Sequence, residues 1–184
     1  MRVITGSCRG RRLVSPKGMD VRPTSDMTKE AVFSILTNRV EGSIFLDLFS
    51  GSGQMGIEAL SRGAEKAIFI DSSLDSINCT KENVKSASLL PSSRIAQMDC
   101  LSFLGGTRDQ FDIAFLDPPY ASDILEKALP LLACHMAEDG IILCETDKKS
   151  ILPEDIGSGF KKKKEYKYGL AKITSYVKAL ESED

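Results

Sequence analysis

Asp117-Pro118-Pro119-Tyr120 is the run of this 184-residue chain whose residue types most directly suggest chemistry. Two successive prolines fix the backbone and remove two N–H donors. What remains is a rim of acceptors, the Asp117 carboxylate and the Pro118 carbonyl. An exocyclic amine on a nucleic-acid base brings two N–H donors to such a rim. Holding both protons lets the nitrogen lone pair leave ring conjugation and point at an electrophile. Tyr120 offers an aromatic face for the base, and stacking of this kind is worth ~1–3 kcal/mol. The matching chemistry is in-line displacement at a sulfonium methyl, where positioning is the main contribution. No strong general base is needed, because the attacked amine becomes acidic once it is positively charged. The bland alternative is a strand-ending turn that happens to contain prolines.

A second motif places the electrophile. Gly51-Ser52-Gly53-Gln54-Met55-Gly56 matches G-x-G-x-x-G, and Asp71 follows Gly51 by 20 residues. This is the dinucleotide-binding pattern, so NAD is one reading. S-adenosylmethionine is the other, because the glycines and a ribose-binding carboxylate serve it equally well. Asp47, just before the loop, separates the two. It would repel a pyrophosphate, whereas it attracts the ammonium and sulfonium of S-adenosylmethionine. A P-loop is excluded, because Ile57-Glu58 stands where Lys-Ser/Thr is required.

These residues need elements to hold them. Short apolar runs predict strands at 44–48, 67–70, 94–97, 111–116 and 140–144. Helical spacing predicts helices at 53–62, 75–87 and 122–136. Alternation of this kind argues a parallel sheet covered on both faces. Strands at 160–168 and 170–177, split by Gly169, predict an antiparallel hairpin closing the sheet, seven strands in all. Residues 1–5 and 12–14 predict a small N-terminal hairpin, followed by a helix over 26–38 with Ser25 as N-cap. The whole reads as one domain, 1–184, with a catalytic core at 41–184 and an N-terminal extension at 1–40.

Composition narrows the classes. A 42% hydrophobic, 27% charged chain is neither disordered nor membrane-embedded, and no run approaches the ~20 apolar residues of a membrane helix. The N-terminus lacks an apolar signal region, which predicts a cytoplasmic protein. Five cysteines without a C-x-x-C pair suggest neither disulfides nor zinc, so no metal is expected. His135, the only histidine, is read as structural. The formal net charge is −2, yet residues 2–39 carry eight bases against three acids, and residues 161–178 carry seven lysines against Glu165 alone. Basic ends around an acidic middle fit a phosphate-facing surface beside a cationic ligand. Arg9, Arg11 and Arg12, with Lys161, Lys162, Lys163 and Lys164, are the candidate nucleic-acid contacts. Arg22 is open between RNA and the cofactor carboxylate. The alternative is that both basic ends are merely solvated.

With Asp47-Leu48-Phe49-Ser50-Gly51-Ser52-Gly53, Asp117-Pro118-Pro119-Tyr120, Gly6-Ser7-Cys8-Arg9-Gly10-Arg11-Arg12-Leu13, Arg22-Pro23-Thr24-Ser25-Asp26 and Leu60-Ser61-Arg62-Gly63-Ala64, the chain resembles the RsmD family. These are Rossmann-like class I methyltransferases acting on guanine N2 of 16S ribosomal RNA. The resemblance spans essentially the whole chain. It implies S-adenosylmethionine as cofactor and ribosomal RNA or a small-subunit assembly particle as partner, with the protein a monomer. It further implies that Asp71 meets the ribose hydroxyls, where the family more often has glutamate, and that Asp99, beside Cys100, meets the adenine amine. Asp47, Phe49, Gly51 and Gly53 would line the methionine side. Asp117, Pro118, Pro119 and Tyr120 would hold the target guanine. Lysine stands at Lys29 where the family commonly has arginine; it keeps the charge but loses the planar fork, and no role is assigned to it. Three alternatives stay open: an adenine-N6 methyltransferase acting on RNA or DNA, an NAD-dependent oxidoreductase, and a non-catalytic RNA-binding module.

Overall fold

A chain that runs outward along a sheet, then crosses back to its starting strand, leaves a crevice at the crossing point. That crossing lies here between the first and fourth strands. A computed structural model describes residues 1–16, 25–119 and 123–179; Arg22, Tyr120 and the expected helix start at Ser122 lie outside them. In chain order the elements are α1 (Asp26–Leu36), β1 (Ile44–Asp47), α2 (Gln54–Ser61), β2 (Lys66–Asp71), α3 (Leu74–Ser86), β3 (Ser93–Gln97) and α4 (Cys100–Gly106). Then come β4 (Phe111–Leu116), α5 (Ile124–Ala133), β5 (Met136–Asp147), β6 (Asp155–Gly157), β7 (Phe160–Tyr168) and β8 (Ala171–Lys178).

The sheet order is β3-β2-β1-β4-β5-β8-β7-β6. Strands β3 through β5 in that row are parallel, and the pairings of β8 with β5 and β7, and of β7 with β6, are antiparallel. The architecture is the expected mixed α/β sheet with a terminal antiparallel hairpin, but it has eight strands rather than seven. The addition, β6, has three residues, too few for a period-2 signal. Parallel strands are covered on both faces, so adjacent residues are both buried: Phe45 and Leu46 on β1, Ile68 and Phe69 on β2. One face packs Leu46, Ile68, Phe103 and Leu129 with α4 and α5. The other packs Phe45, Phe69, Phe33 and Ile57 with α1 and α2.

Local departures have local causes. α5 stops at Ala133, because Met136 is taken into β5 opposite Phe111 across a register shift. α4 was not foreseen; its seven residues end in two glycines, and it starts on the Asp99 cap. Ser25 caps α1 as expected, accepting from the Thr28 amide.

The expected N-terminal hairpin is present as an antiparallel bridge, Arg2 with Arg12, flanked by backbone bonds from Val3 N to the Arg11 carbonyl, Gly10 N to the Val3 carbonyl and Leu13 N to the Met1 carbonyl. α2 fixes this hairpin to the core. Glu58, fully buried, accepts from the amides of Ile4 (2.8 Å) and Thr5 (3.0 Å) and from Arg62 Nε (2.9 Å). Lys29, also fully buried, sits 3.7 Å from Glu58 and donates to the Arg2 carbonyl at 2.6 Å. Burial lowers the Lys29 pKa, against the pull of Glu58 and Asp26. Ser61 extends the seam, accepting from the Cys8 amide and donating to the Thr5 carbonyl. At Gly6, φ is +88° and a Cβ would fall 1.7 Å from the Ser61 carbonyl oxygen, so only glycine allows this approach.

Candidate functional site

β1 ends at Asp47, and the chain turns through 48–53 into α2. The three glycines of the motif do different work. Gly53 is the left-handed N-cap of α2, with φ +78°. Gly56 packs helix on sheet: a Cβ there would lie 2.3 Å from the Phe69 ring. Gly51, with φ +54°, has nothing within 4 Å of where its Cβ would project, so its backbone borders open space. The loop is tied down from beneath. Ser50 N donates to the Ile70 carbonyl, Gly51 N to Asp71 Oδ2 at 2.9 Å, Thr80 to the Gly51 carbonyl, and Asn83 to the Ser52 carbonyl. Asn83 also bonds Val14, so one side chain joins the glycine loop to the N-terminal segment.

Three carboxylates converge at this loop. Asp47 is 2% exposed and accepts from the Gly56 amide at 3.0 Å. Burial pushes its pKa up to about 8, the Gly56 bond opposes this, and the negative fields of Asp71 and Asp117 add to it. Asp71 accepts from Gly51 N and Ser73 N, one bond per oxygen. Asp117 follows β4. Asp47 pairs with Phe115 in the parallel register, so Asp117 lies two residues further along the neighbouring strand and on the same face. Pro118 is buried and Pro119 exposed beside it. Two polar atoms at the loop, Ser50 Oγ and Gln54 Oε1, are buried with no hydrogen-bond partner. Buried polar groups are seldom left unpaired, and these two belong to the residues on either side of the Gly51–Gly53 run.

Other expected residues are placed less uniformly. Phe49 is half-buried against the α4–α5 core. Asp99 is exposed and spends one oxygen capping α4, accepting from Ser102 N at 2.9 Å, which leaves the other for a ligand. Cys100 is buried, and burial raises its thiol pKa to about 11. His135 bonds the Leu104 carbonyl through Nε2. All five cysteines are free, and Cys134 is exposed.

The basic residues are spread out: Arg12 pairs with Arg2 and precedes Leu13 and Val14, which bond Met1 and Asn83 at the glycine-loop end of α2. Arg9, Arg11 and Arg12 are exposed. The N-terminal segment runs along α2, with Met1 near Ser52 and Ser7 at Ser61. The turn bearing Arg9 therefore sits at the far end of α2, about 12 Å of helix from the glycine loop. Lys162 is 11% exposed in its side chain and is taken up by Glu154 (2.6 Å) and Glu165 (3.7 Å). Lys164 lies over the Tyr166 ring, 4.9 Å from its centroid. Lys161 pairs with Val177, which pairs with Ile141, near the sheet edge opposite the crevice. The Lys29–Glu58 pair, which the sequence reading passed over, instead organises the N-terminal segment.

Among the described residues no helix is long and apolar enough to cross a membrane, and no cluster of three metal-ligating side chains occurs. The family model described as Conserved hypothetical protein 95 matches residues 1–177. YlbH of Bacillus subtilis is 39% identical over 183 residues, covering 97% of this chain and 99% of its own. The Haemophilus influenzae protein named ribosomal RNA small subunit methyltransferase D is 35% identical over 162 residues, 84% of each chain. The solved structure of yhhF from Escherichia coli has a TM-score of 0.84 at 28% identity and covers 97% of each chain.

Proposed function

The chain belongs to the RsmD family of methyltransferases, and from that premise we propose that it methylates the exocyclic N2 amine of a guanine in 16S ribosomal RNA. The observation that carries the reading is the convergence of Asp47, Asp71 and Asp117 at an open glycine loop. Asp71 and Asp117, joined by Asp47 when a cationic ligand ionises it, make a field hostile to pyrophosphate and favourable to a cation. This disfavours the NAD alternative. S-adenosylmethionine, when bound, supplies an electrophilic methyl on a sulfonium. Gly51 gives its backbone close approach, Asp47 faces the positive charge, and Asp71 and Asp99 take the ribose hydroxyls and adenine amine. Ser50 and Gln54 offer the buried polar atoms that otherwise lack partners. Asp117 and the Pro118 carbonyl take the two amine protons and aim the nitrogen lone pair toward the crevice. Residues 1–40 serve as the RNA-binding extension, and Glu58 anchors its Ile4–Thr5 stretch and Lys29.

The raised pKa of Asp47 predicts a pH dependence. Near pH 7 the free protein holds Asp47 mostly protonated, and a cationic ligand selects the ionised form. Affinity for S-adenosylmethionine is therefore expected to rise from pH 6.5 to about 8.5 and then level, with a proton released on binding below pH 8. Calorimetry in buffers of different ionisation enthalpy checks this, and Asp47→Asn is expected to remove the proton release. A pH-independent affinity with no released proton would show that Asp47 does not face the bound charge.

The base identity is tested by incubating unmodified 16S ribosomal RNA with the protein and methyl-deuterated cofactor, then digesting to nucleosides for mass spectrometry. Label in N2-methylguanosine is expected. Label confined to N6-methyladenosine would sink the guanine claim.

A further inference from the structure

We propose that the β5–β6 loop and the β7–β8 turn together form a second RNA-contacting rim beside the catalytic turn, gripping the strand that flanks the target base through Lys148, Lys149, Lys167, Ile151 and Leu170. This rests on the methyltransferase reading above and assigns the RNA grip to residues outside the 161–164 lysine run.

The register places the rim. Leu116, the last residue of β4, pairs with Cys144, and Cys144 pairs with Thr174. Asp147 pairs with Ala171, and Ala171 with Tyr168. The β7–β8 turn therefore stands three residues, about 10 Å, further along the strand direction than the end of β4 and two strands, about another 10 Å, to its side, at the end of the sheet where Asp117-Pro118-Pro119 emerges. Lys161 lies at the other end of the same strand.

The two loops are joined. Buried Lys172 donates to the Ser150 carbonyl at 2.6 Å and pairs with Glu165 at 3.0 Å. Asp147 shapes the β5–β6 loop by accepting from the amides of Lys149 (2.7 Å) and Ser150 (2.9 Å). Beyond it, Leu152 is buried and the Pro153 carbonyl accepts from the Tyr176 hydroxyl at 2.7 Å. A loop anchored on both sides nevertheless presents Ile151 at 86% exposure, and the β7–β8 turn presents Leu170 at 75%. These are the two most exposed large apolar side chains among the described residues.

Charge identifies the occupant. Lys148, Lys149 and Lys167 are exposed and form no ion pair among the described residues. Asp147 accepts from two backbone amides and lies in the field of Lys149, and Glu165 is shared by Lys162 and Lys172, so cations outnumber acids at this rim. Excess positive charge around exposed apolar groups, with Tyr168 beside them, matches a single strand, whose phosphates take the charge and whose bases take the apolar and aromatic faces.

The test compares wild type with Lys148→Ala/Lys149→Ala/Lys167→Ala and with Ile151→Ser/Leu170→Ser. Binding to unmodified 16S ribosomal RNA is measured across a salt series, alongside KM, kcat and calorimetric affinity for S-adenosylmethionine. The lysine variant is expected to raise KM for RNA about tenfold and to flatten the slope of log affinity against log salt by about 2, as loss of roughly three phosphate contacts on a single strand predicts. The apolar variant is expected to raise KM with the salt slope unchanged. Both are expected to keep cofactor affinity and kcat. An unchanged KM and slope in the lysine variant would overturn the proposal. So would a defect seen only with small-subunit particles and absent on naked RNA, which would make the rim a protein-docking surface. If wild type itself transfers no methyl to either naked RNA or small-subunit particles, the functional reading fails instead.

Discussion

Asp117→Ala is expected to lower kcat for methyl transfer by at least about 100-fold, the loss that follows when a reacting group is misplaced by an ångström, while S-adenosylmethionine still binds. The split follows from position. Asp117 sits beyond β4, whereas the glycine loop and Asp71, the residues proposed to hold the donor, follow β1 and end β2. Removing the carboxylate withdraws one of two acceptors from the amine and leaves the donor's own contacts in place. Asp117→Asn keeps a carbonyl acceptor without the charge and is expected to retain more activity than alanine. Single-turnover transfer to ribosomal RNA, with calorimetry for the donor, separates the two effects. Full activity in the alanine variant would remove Asp117 from the chemistry. Loss of donor binding in proportion to activity would move it to the cofactor site.

The second large effect concerns folding. Glu58→Ala is expected to destabilise the protein by about 3–5 kcal/mol, because it strands the buried Lys29 ammonium and leaves the Ile4 and Thr5 amides unpaired. In a chain of this size that corresponds to a fall in Tm of roughly 10 °C. Two variants tell the charge from the amide bonds. Lys29→Met removes the charge and keeps the Glu58–amide bonds, so in the Glu58→Ala background it is expected to recover part of the loss. Glu58→Gln keeps an acceptor for one amide and is expected to cost less than alanine. Denaturant titration with unchanged m-values checks both. A Glu58→Ala variant as stable as wild type would mean the N-terminal segment is not held by this seam.

The Asp117-Pro118-Pro119 turn and the glycine loop were legible as strand-end features because each is contiguous, and because the strand preceding each is an unbroken apolar run. The sulfonium preference was legible for a similar reason: Asp47 stands four residues before Gly51. What escaped was long-range. Glu58 meets Ile4 across 54 positions and Lys29 across 29, and nothing in the local pattern of α2 announces either contact. Lys29 looked like a weakened family position; in the fold it is a buried cation bonded to the Arg2 carbonyl. Strand direction was equally hidden. Four lysines in a row drew attention to 161–164, but β7 runs toward the crevice. Its far end, near Lys167, lies at the same end of the sheet as the site, and Lys162 is spent on Glu154 and Glu165. The eighth strand and α4 escaped because three and seven residues carry too little periodicity to register.

The central claim is that a donor over β1 and β2 and an amine held at the Asp117 turn are close enough for direct transfer. A crystal structure of the protein with S-adenosylmethionine and guanosine measures it. The arrangement predicts guanine N2 about 3–3.5 Å from the sulfonium methyl, with its protons toward Asp117 and the Pro118 carbonyl. Guanosine seated away from that turn, or a donor lodged elsewhere than above Gly51, would contradict it.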